Sequence, residues 1–430
     1  MSIDRQPNFG PLDGIRVLDL TVALAGAFST MLLADLGAEV IKVDSVQHYS
    51  TSSRGPYRPG LPVDSVPAAA RRDYPDAQPG QDPWNRISWF NSHARNKRDV
   101  TRDLTRPEGR ELFLRLIEIS DGFVENNPPG LLEKLGIGPD VLLERNPRCI
   151  VVRMPPLGLS GPDCHATGFG WHFEDLAGLL RVQGHADGPD VGSILMDATS
   201  GPAGANAFLM ALLRRRRTGR GGLVEVAQVE NLINHYGELT LGAAMTATTP
   251  PRWGNRSADY APQGVYRCAG EDRWVALSVR SDAEWLTLAA LVGAGLVGRE
   301  DLHRVHGRRR AHDEIDALLS AWTLGQDPFE VAASLQSSGV PAGPVMTEAD
   351  ALADRQLHER GFFVLLDHPS AGTHFYAGPN MVLDGTPLQV WRAAPTLGQD
   401  NEYVYRELLG VSSEAYARFE RDGHIGTRFL

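Results

Sequence analysis

The chain has little cysteine and no long apolar run. Its 430 residues include only Cys149, Cys164 and Cys268, and no CxxC pair occurs. This usage excludes a disulfide framework and is typical of a reducing cytoplasm. No cysteines and histidines have the spacing of a zinc site, so we expect no bound metal. The longest apolar runs, such as residues 208–213, are far shorter than the roughly 20 residues of a membrane-spanning helix.

The chain also lacks a basic excess, and its first ten residues are not apolar. Lys and Arg number 42 and Asp and Glu number 53, so the formal net charge is −11. A nucleic-acid partner needs a basic surface, and this balance argues against one. Residues 1–10 are polar and contain no signal-peptide core. We therefore predict a cytoplasmic protein with neither a membrane nor a nucleic acid as partner.

Alternating strand and helix patterns predict an α/β fold. Residues 15–20 and 40–44 are short apolar runs, and residues 23–36 between them have helical length and composition. Strand, helix and strand in about 30 residues make a βαβ unit, which implies a parallel sheet. Similar alternation over residues 108–153 predicts a doubly wound sheet. The first turn carries only Gly26 and no GxGxxG motif, which disfavours a nicotinamide dinucleotide enzyme.

A change of composition predicts a second domain. Residues 245–255 are rich in Thr and Pro. Two strand patterns follow, at 264–267 and 274–279, and helical patterns come after them. We interpret residues 229–335 as a smaller α+β domain.

Asp197 stands at a change from strand to helix pattern. Residues 193–196 predict a strand, a turn follows, and a long helix is predicted from Pro202. A helix N-terminus would favour the ionised carboxylate of Asp197. Small residues such as Gly201 and Gly204 would leave room for a bulky substrate. Such a carboxylate is suited to attack on an activated acyl carbon; the alternative is a simple helix cap.

Short motifs run in order through nearly the whole chain. Residues 11–20 read PLDGIRVLDL and residues 32–43 read LLADLGAEVIKV. Later motifs are NKR at 96–98, PEGREL at 107–112, VEN at 124–126, LGIG at 135–138, NPR at 146–148, RTGRG at 217–221, GVPA at 339–342 and LGQDN at 397–401. The ordered set resembles the class III CoA-transferases of the CaiB/BaiF type, a family that includes formyl-CoA transferase, carnitine CoA-transferases and alpha-methylacyl-CoA racemase.

The resemblance implies a particular architecture. A large Rossmann-like domain would be built from both chain ends, residues 1–228 and 336–430, with the smaller domain between them. Two subunits would interlock like chain links. The sequence leaves open whether the partner chain is identical, and we expect an intertwined homodimer.

The resemblance also implies a chemistry. Asp197, in the segment MDATSG at 196–201, would attack an acyl-CoA, become an aspartyl-CoA thioester and pass CoA to a free organic acid. Coenzyme A and acyl-CoA would be substrates, and no permanently bound cofactor is implied. By family position, the CoA site would include Ala23, Arg102, Asn126, Lys134 and Leu135.

Departures from the family motifs bear on the substrate and on two alternatives. Leu24 stands where formyl-CoA transferase has a glutamine, and residues 257–262 do not match its glycine-rich loop. These differences argue against formate and oxalate and for a larger, less polar acid.

A racemase would need a His–Asp pair near residues 168–170; none is present, and Glu174 is the candidate substitute base. The second alternative is a non-catalytic subunit of a hetero-oligomeric transferase.

Overall fold

A computed structural model describes residues 10–293 and 295–430. The strands are β1 (Arg16–Leu20), β2 (Glu39–Asp44), β3 (Lys97–Thr101), β4 (Gly122–Glu125), β5 (Ile150–Arg153), β6 (Gly222–Glu225), β7 (Gln263–Arg267), β8 (Trp274–Ser278), β9 (Ala342–Val345), β10 (Phe363–His368), β11 (Gly372–Ala377), β12 (Val382–Leu383) and β13 (Thr386–Pro387). The helices are α1 (Ala25–Asp35), α2 (Thr51–Arg54), α3 (Ser88–His93), α4 (Pro107–Glu118), α5 (Leu131–Lys134), α6 (Pro139–Arg145), α7 (Gly170–Leu176), α8 (Leu195–Thr218), α9 (Gln228–His235), α10 (Gly237–Thr246), α11 (Asp282–Val292), α12 (Val305–Arg310), α13 (His312–Thr323), α14 (Pro328–Ser337), α15 (Glu348–Ala353), α16 (Arg355–Glu359) and α17 (Ser413–Arg421). None of the helices in these residues is both long and apolar enough to cross a bilayer.

Six parallel strands form the central sheet, in the order β3-β2-β1-β4-β5-β6. Neighbouring side chains of β1 point to opposite faces, as the pleat requires. Leu18 belongs to a core with Phe113 of α4, whereas Val17 belongs to a core with Leu33 of α1 and Phe208 of α8. Helices thus cover both faces, and the predicted doubly wound, Rossmann-like α/β fold is confirmed.

β3 has a polar sequence, KRDVT, yet all five residues are buried. Lys97 donates from Nζ to Asp19 Oδ2 at 2.9 Å, to the carbonyl of Ala27 at 2.9 Å and to Thr30 Oγ1 at 2.8 Å. Lys42 of β2 donates to the carbonyl of Thr21 at 2.9 Å, and its Nζ lies 4.0 Å from Asp19 Oδ1. The Asp19 carboxylate therefore balances two buried ammonium groups beneath the loop that joins β1 and α1.

The chain folds as two compact units. The first unit comprises the chain up to Ala177 together with Ser193–Gly237 and His358–Leu430. The second unit comprises Gly178–Gly192 and Glu238–Leu357. The second unit contains the antiparallel sheet β7-β8-β9 and a helical core that includes Trp285. The ranges 1–228, 229–335 and 336–430 stay a prediction about domains.

The segment Gly178–Gly192 is attached to the second unit by hydrogen bonds. The backbone N–H of Gly254 donates to the carbonyl of Gly184 at 3.1 Å. The Arg252 guanidinium donates to the carbonyl of Leu180 at 2.6 Å. These bonds join parts of the unit that lie far apart in the sequence.

Asp19→Asn is expected to destabilise the large unit strongly, because Lys97 and Lys42 would lose their shared counter-charge. Removing one partner of a buried ion pair costs about 3–5 kcal/mol of unfolding free energy. The measurement is urea unfolding of the variant and the wild type. The matched control is Glu111→Gln, which breaks the surface pair with Arg145 and should cost less than about 1 kcal/mol. Equal losses in the two variants would contradict the prediction.

Candidate active site

The loop between β1 and α1 forms one wall of the site. Asn126, just after β4, accepts a hydrogen bond from the Val22 N–H at 2.8 Å and donates to the Val22 carbonyl at 3.0 Å. The Ala23 N–H donates to Ser53 Oγ at 3.0 Å. Ala23 has a φ of 53°, a left-handed conformation that costs energy without glycine. These bonds hold the loop at the carboxyl edge of the sheet, where α/β folds bind ligands.

Asp197 lies in the first turn of α8, which begins at Leu195. The predicted strand over residues 193–196 is wrong, because residue 193 has no regular structure and residues 195–196 are helical. The predicted helix start at Pro202 is also wrong, since Pro202 lies inside the helix.

Glu174 of α7 explains why α8 starts so early. Its buried carboxylate accepts hydrogen bonds from the Met196 N–H at 2.8 Å, the Ser193 N–H at 3.2 Å and the Ser193 hydroxyl at 2.7 Å. The first N–H groups of a helix have no partner within the helix, so this carboxylate acts as an external cap. Because Glu174 comes from another element, the local pattern around Asp197 could not reveal it.

The surroundings of Asp197 disfavour the ionised form of its carboxyl group. Burial raises its pKa above the ordinary value, a hydrogen bond from the Ala25 backbone lowers it, and the nearby Glu174 carboxylate raises it again. Burial is the largest of these influences, so the pKa of Asp197 moves in the direction opposite to the one expected from a helix N-terminus. Ala25 is the first residue of α1, so the carboxylate lies at the start of that helix as well.

Gly170, the first residue of α7, passes very close to Asp197. A β-carbon added to Gly170 would lie 2.4 Å from Oδ2 of Asp197. This distance is shorter than a van der Waals contact, so a side chain at position 170 would have to displace the Asp197 carboxylate. The close approach sets one limit on where the carboxylate can lie.

These elements enclose a cavity of about 800 Å³. Of the residues proposed from the sequence, the structure brings Asp197, Ala23 and Asn126 together in its lining. Its lining among the described residues does not include Arg102, Lys134 or Leu135. No three His, Cys, Asp or Glu side chains in residues 10–293 and 295–430 are grouped as metal ligands.

The three predicted residues outside the cavity have different surroundings. The Arg102 side chain is 1% exposed, donates to the Gly109 carbonyl at 3.1 Å and lies 4.4 Å above the Tyr405 ring. Lys134 is exposed at the end of α5, and the half-buried Leu135 packs against the core that covers one face of the sheet.

Sequence reasoning missed several cavity residues, among them Trp89 and His93 of α3. Burial lowers the pKa of His93 to about 4, so its imidazole is neutral near pH 7. Its Nδ1 lies 3.2 Å from the Trp89 carbonyl and 2.7 Å from Ser92 Oγ. These residues follow a long Pro-rich stretch with no periodicity, and only their place in the same cavity lining as Asp197 marks them as functional candidates.

Comparisons with known proteins agree with this fold. The family model CoA-transferase family III matches residues 12–401. The chain is 31% identical to the succinyl-CoA–D-citramalate CoA-transferase of Chloroflexus aurantiacus, over 98% of this chain and 99% of that protein. It is 32% identical, over 95% of its length, to a Mycobacterium tuberculosis protein named "Probable CoA-transferase", of which it spans 49%, about half.

A solved structure has the same architecture. The crystal structure of a CaiB/BaiF family protein from Brucella suis matches with a TM-score of 0.80 and 26% identity, over 93% of this chain and 99% of that one. Since the family model covers nearly the whole chain and the fold agrees, the resemblance is confirmed and the chain belongs to CoA-transferase family III, a family of enzymes.

Proposed function

We propose that the enzyme moves CoA from an acyl-CoA donor to a free carboxylic acid and that Asp197 carries CoA between them. The observation that supports this most is the position of the Asp197 carboxylate, in the cavity wall and at the start of α1. Burial removes part of its hydration, and a poorly hydrated carboxylate is the better nucleophile.

Each step of the proposed reaction balances without an added oxidant, reductant or nucleotide. An oxygen of Asp197 attacks the thioester carbon, and the C–S bond breaks. CoA leaves as a thiolate, and the acyl group stays on Asp197 as a mixed anhydride. The thiolate attacks Cγ of Asp197, and the donor acid leaves as a carboxylate. The acceptor carboxylate then attacks Cγ and expels the thiolate. The thiolate finally attacks the acceptor's acyl carbon, which gives a new thioester and frees Asp197.

Backbone groups near Asp197 are suited to this chemistry. The Ala25 N–H already donates to the carboxylate. As the thiolate adds to Cγ, an oxygen of Asp197 becomes an oxyanion, and a donor at a helix N-terminus stabilises that charge. We assign to Ala25 the role of binding this oxyanion.

The five proposed CoA contacts lie in three different places. Ala23 and Asn126 line the cavity, and we assign them to the end of CoA that carries sulfur. Lys134 and Leu135 lie outside it, where an exposed ammonium is available to a phosphate. The Arg102 guanidinium is enclosed by protein, so its proposed contact with CoA has no support. An intertwined homodimer remains part of the proposal.

Neither alternative is favoured by an observation at the site. A racemase would need Glu174 as a base, but that carboxylate is buried and accepts three hydrogen bonds from the start of α8. A non-catalytic subunit would not need a carboxylate placed in the cavity as Asp197 is.

Asp197→Asn is expected to abolish a covalent adduct that wild type forms with acyl-CoA, since an amide is a poor nucleophile. Intact mass spectrometry after incubation with acetyl-, succinyl- or 3-phenylpropanoyl-CoA should show a CoA-sized increase. Hydroxylamine trapping and peptide mapping should place it at Asp197. Asp175→Asn, at an exposed carboxylate of the neighbouring helix α7, is the control and should keep the adduct. Absence of an Asp197 adduct with all three thioesters overturns the proposal, and deuterium exchange at the α-carbon would then indicate a racemase.

Gly170→Ala should slow adduct formation, because the new β-carbon must displace the Asp197 carboxylate. A misplacement of about 1 Å costs roughly 100-fold in rate. The control is Gly242→Ala in α10, where a β-carbon meets nothing within 4 Å. Quenched-flow mass spectrometry gives both rates. A wild-type rate in Gly170→Ala, with folding intact by circular dichroism, would refute the placement of the nucleophile.

The raised pKa of Asp197 should appear in the pH dependence of catalysis. The carboxylate attacks and the carboxylic acid does not, so kcat/KM should fall with decreasing pH at a pKa above the ordinary 3.8. Glu174→Gln removes a negative charge that raises this pKa. The acid limb of the kcat/KM profile of this variant should move to lower pH. Urea unfolding of the same variant measures separately how much stability is lost when the cap on α8 is weakened. An unmoved acid limb would show that another group controls it.

A further inference from the structure

Large apolar side chains from three separate segments form the walls of the cavity around Asp197. Leu24 comes from the β1–α1 loop, Trp89 from α3, and Phe169 and Trp171 from the start of α7. The Phe169 and Trp171 rings stack with centroids 5.2 Å apart and planes at 29°. Trp89, Phe169 and Trp171 are 41%, 51% and 49% exposed. Such aromatic surfaces bind flat or apolar groups.

The cations of the cavity are already neutralised. Of the described residues that line it, Lys42 and Lys97 are lysines and none is an arginine. Lys97 uses three donors on Asp19, Ala27 and Thr30. Lys42 donates to a backbone carbonyl and lies 3.5 Å from Asp44 Oδ1.

The other titratable groups of the lining do not supply a positive charge. Burial keeps His93 neutral near pH 7 by lowering its pKa to about 4. Asp73 and Asp197 are carboxylic residues. A second carboxylate on the acyl group would therefore enter the cavity without an available cation, next to groups of its own sign. Transferring an unpaired carboxylate from water into such a cavity is strongly unfavourable.

We propose that the acid handled by this enzyme is a monocarboxylic acid with a large apolar or aromatic body, packed against Trp89, Phe169 and Trp171. This inference rests on the function proposed above, and it adds the substrate class. It separates this chain from the relative named for succinyl-CoA and D-citramalate, whose named substrates carry a second carboxylate. The separation comes from the lining: the described residues that form it include aromatic rings, and both of their lysines already have partners.

Two thioesters test the proposal directly. 3-Phenylpropanoyl-CoA and succinyl-CoA have the same acyl chain and differ in the terminal group, a phenyl ring or a carboxylate. We expect kcat/KM for adduct formation at Asp197 to be about 100-fold or more higher with the phenyl compound. An equal or faster reaction with succinyl-CoA overturns the substrate class and leaves the transferase proposal standing. No Asp197 adduct with either thioester, nor with acetyl-CoA, overturns the transferase proposal itself.

A charge placed in the wall should reverse the preference. Trp89→Arg removes one aromatic surface and adds a cation, so the ratio of succinyl to 3-phenylpropanoyl rates should rise by about 10-fold or more. The control is Leu176→Arg, which adds the same cation to α7 at a residue that is 68% exposed and outside the cavity lining. An unchanged ratio in Trp89→Arg, or the same rise in both variants, would overturn the position assigned to the acyl group.

Discussion

The buried carboxylate of Asp19 is the charge on which the carboxyl edge of the sheet depends. Burial alone would raise its pKa, but Lys97 and Lys42 hold it below its ordinary value. It also accepts hydrogen bonds from the Thr21 N–H and hydroxyl and from the Thr30 hydroxyl. Thr21 is the first residue of the β1–α1 loop. Its hydrogen bonds to Asp19 therefore hold this loop against the same carboxylate that neutralises Lys97 and Lys42.

Asp197 shows the opposite use of a carboxylate in the same unit. Asp19 has two ammonium partners, whereas the pKa of Asp197 is governed by burial, one backbone hydrogen bond and the repulsion of Glu174. Full pairing makes a carboxylate inert and structural, and partial desolvation without a cation makes it reactive. The surroundings of the two residues thus fit a structural role for Asp19 and the proposed nucleophilic role for Asp197.

How much could be predicted from the sequence depends on whether the signal is local. Apolar runs such as β1 and β5 predicted a parallel α/β sheet, since strands buried on both faces are continuously hydrophobic. β3 escaped notice because its buried residues are charged, and their partners lie on other elements. The early start of α8 was missed for the same reason, as its cap comes from Glu174. Arg102 could not be recognised as enclosed, because its neighbours Gly109 and Tyr405 are brought together by folding.

The fold class, the family and the choice of Asp197 as candidate nucleophile follow from the order of the residues, because ordered motifs and hydrophobic periodicity are properties of the chain alone. The residues that share a cavity with Asp197, and the direction in which its pKa moves, are set by the folded chain. The physical reason is that desolvation and charge pairing depend on distances between elements. Gly170 and Trp89 are neighbours of Asp197 in the folded chain. Their separation from Asp197 along the sequence does not reveal that they are close to it in space.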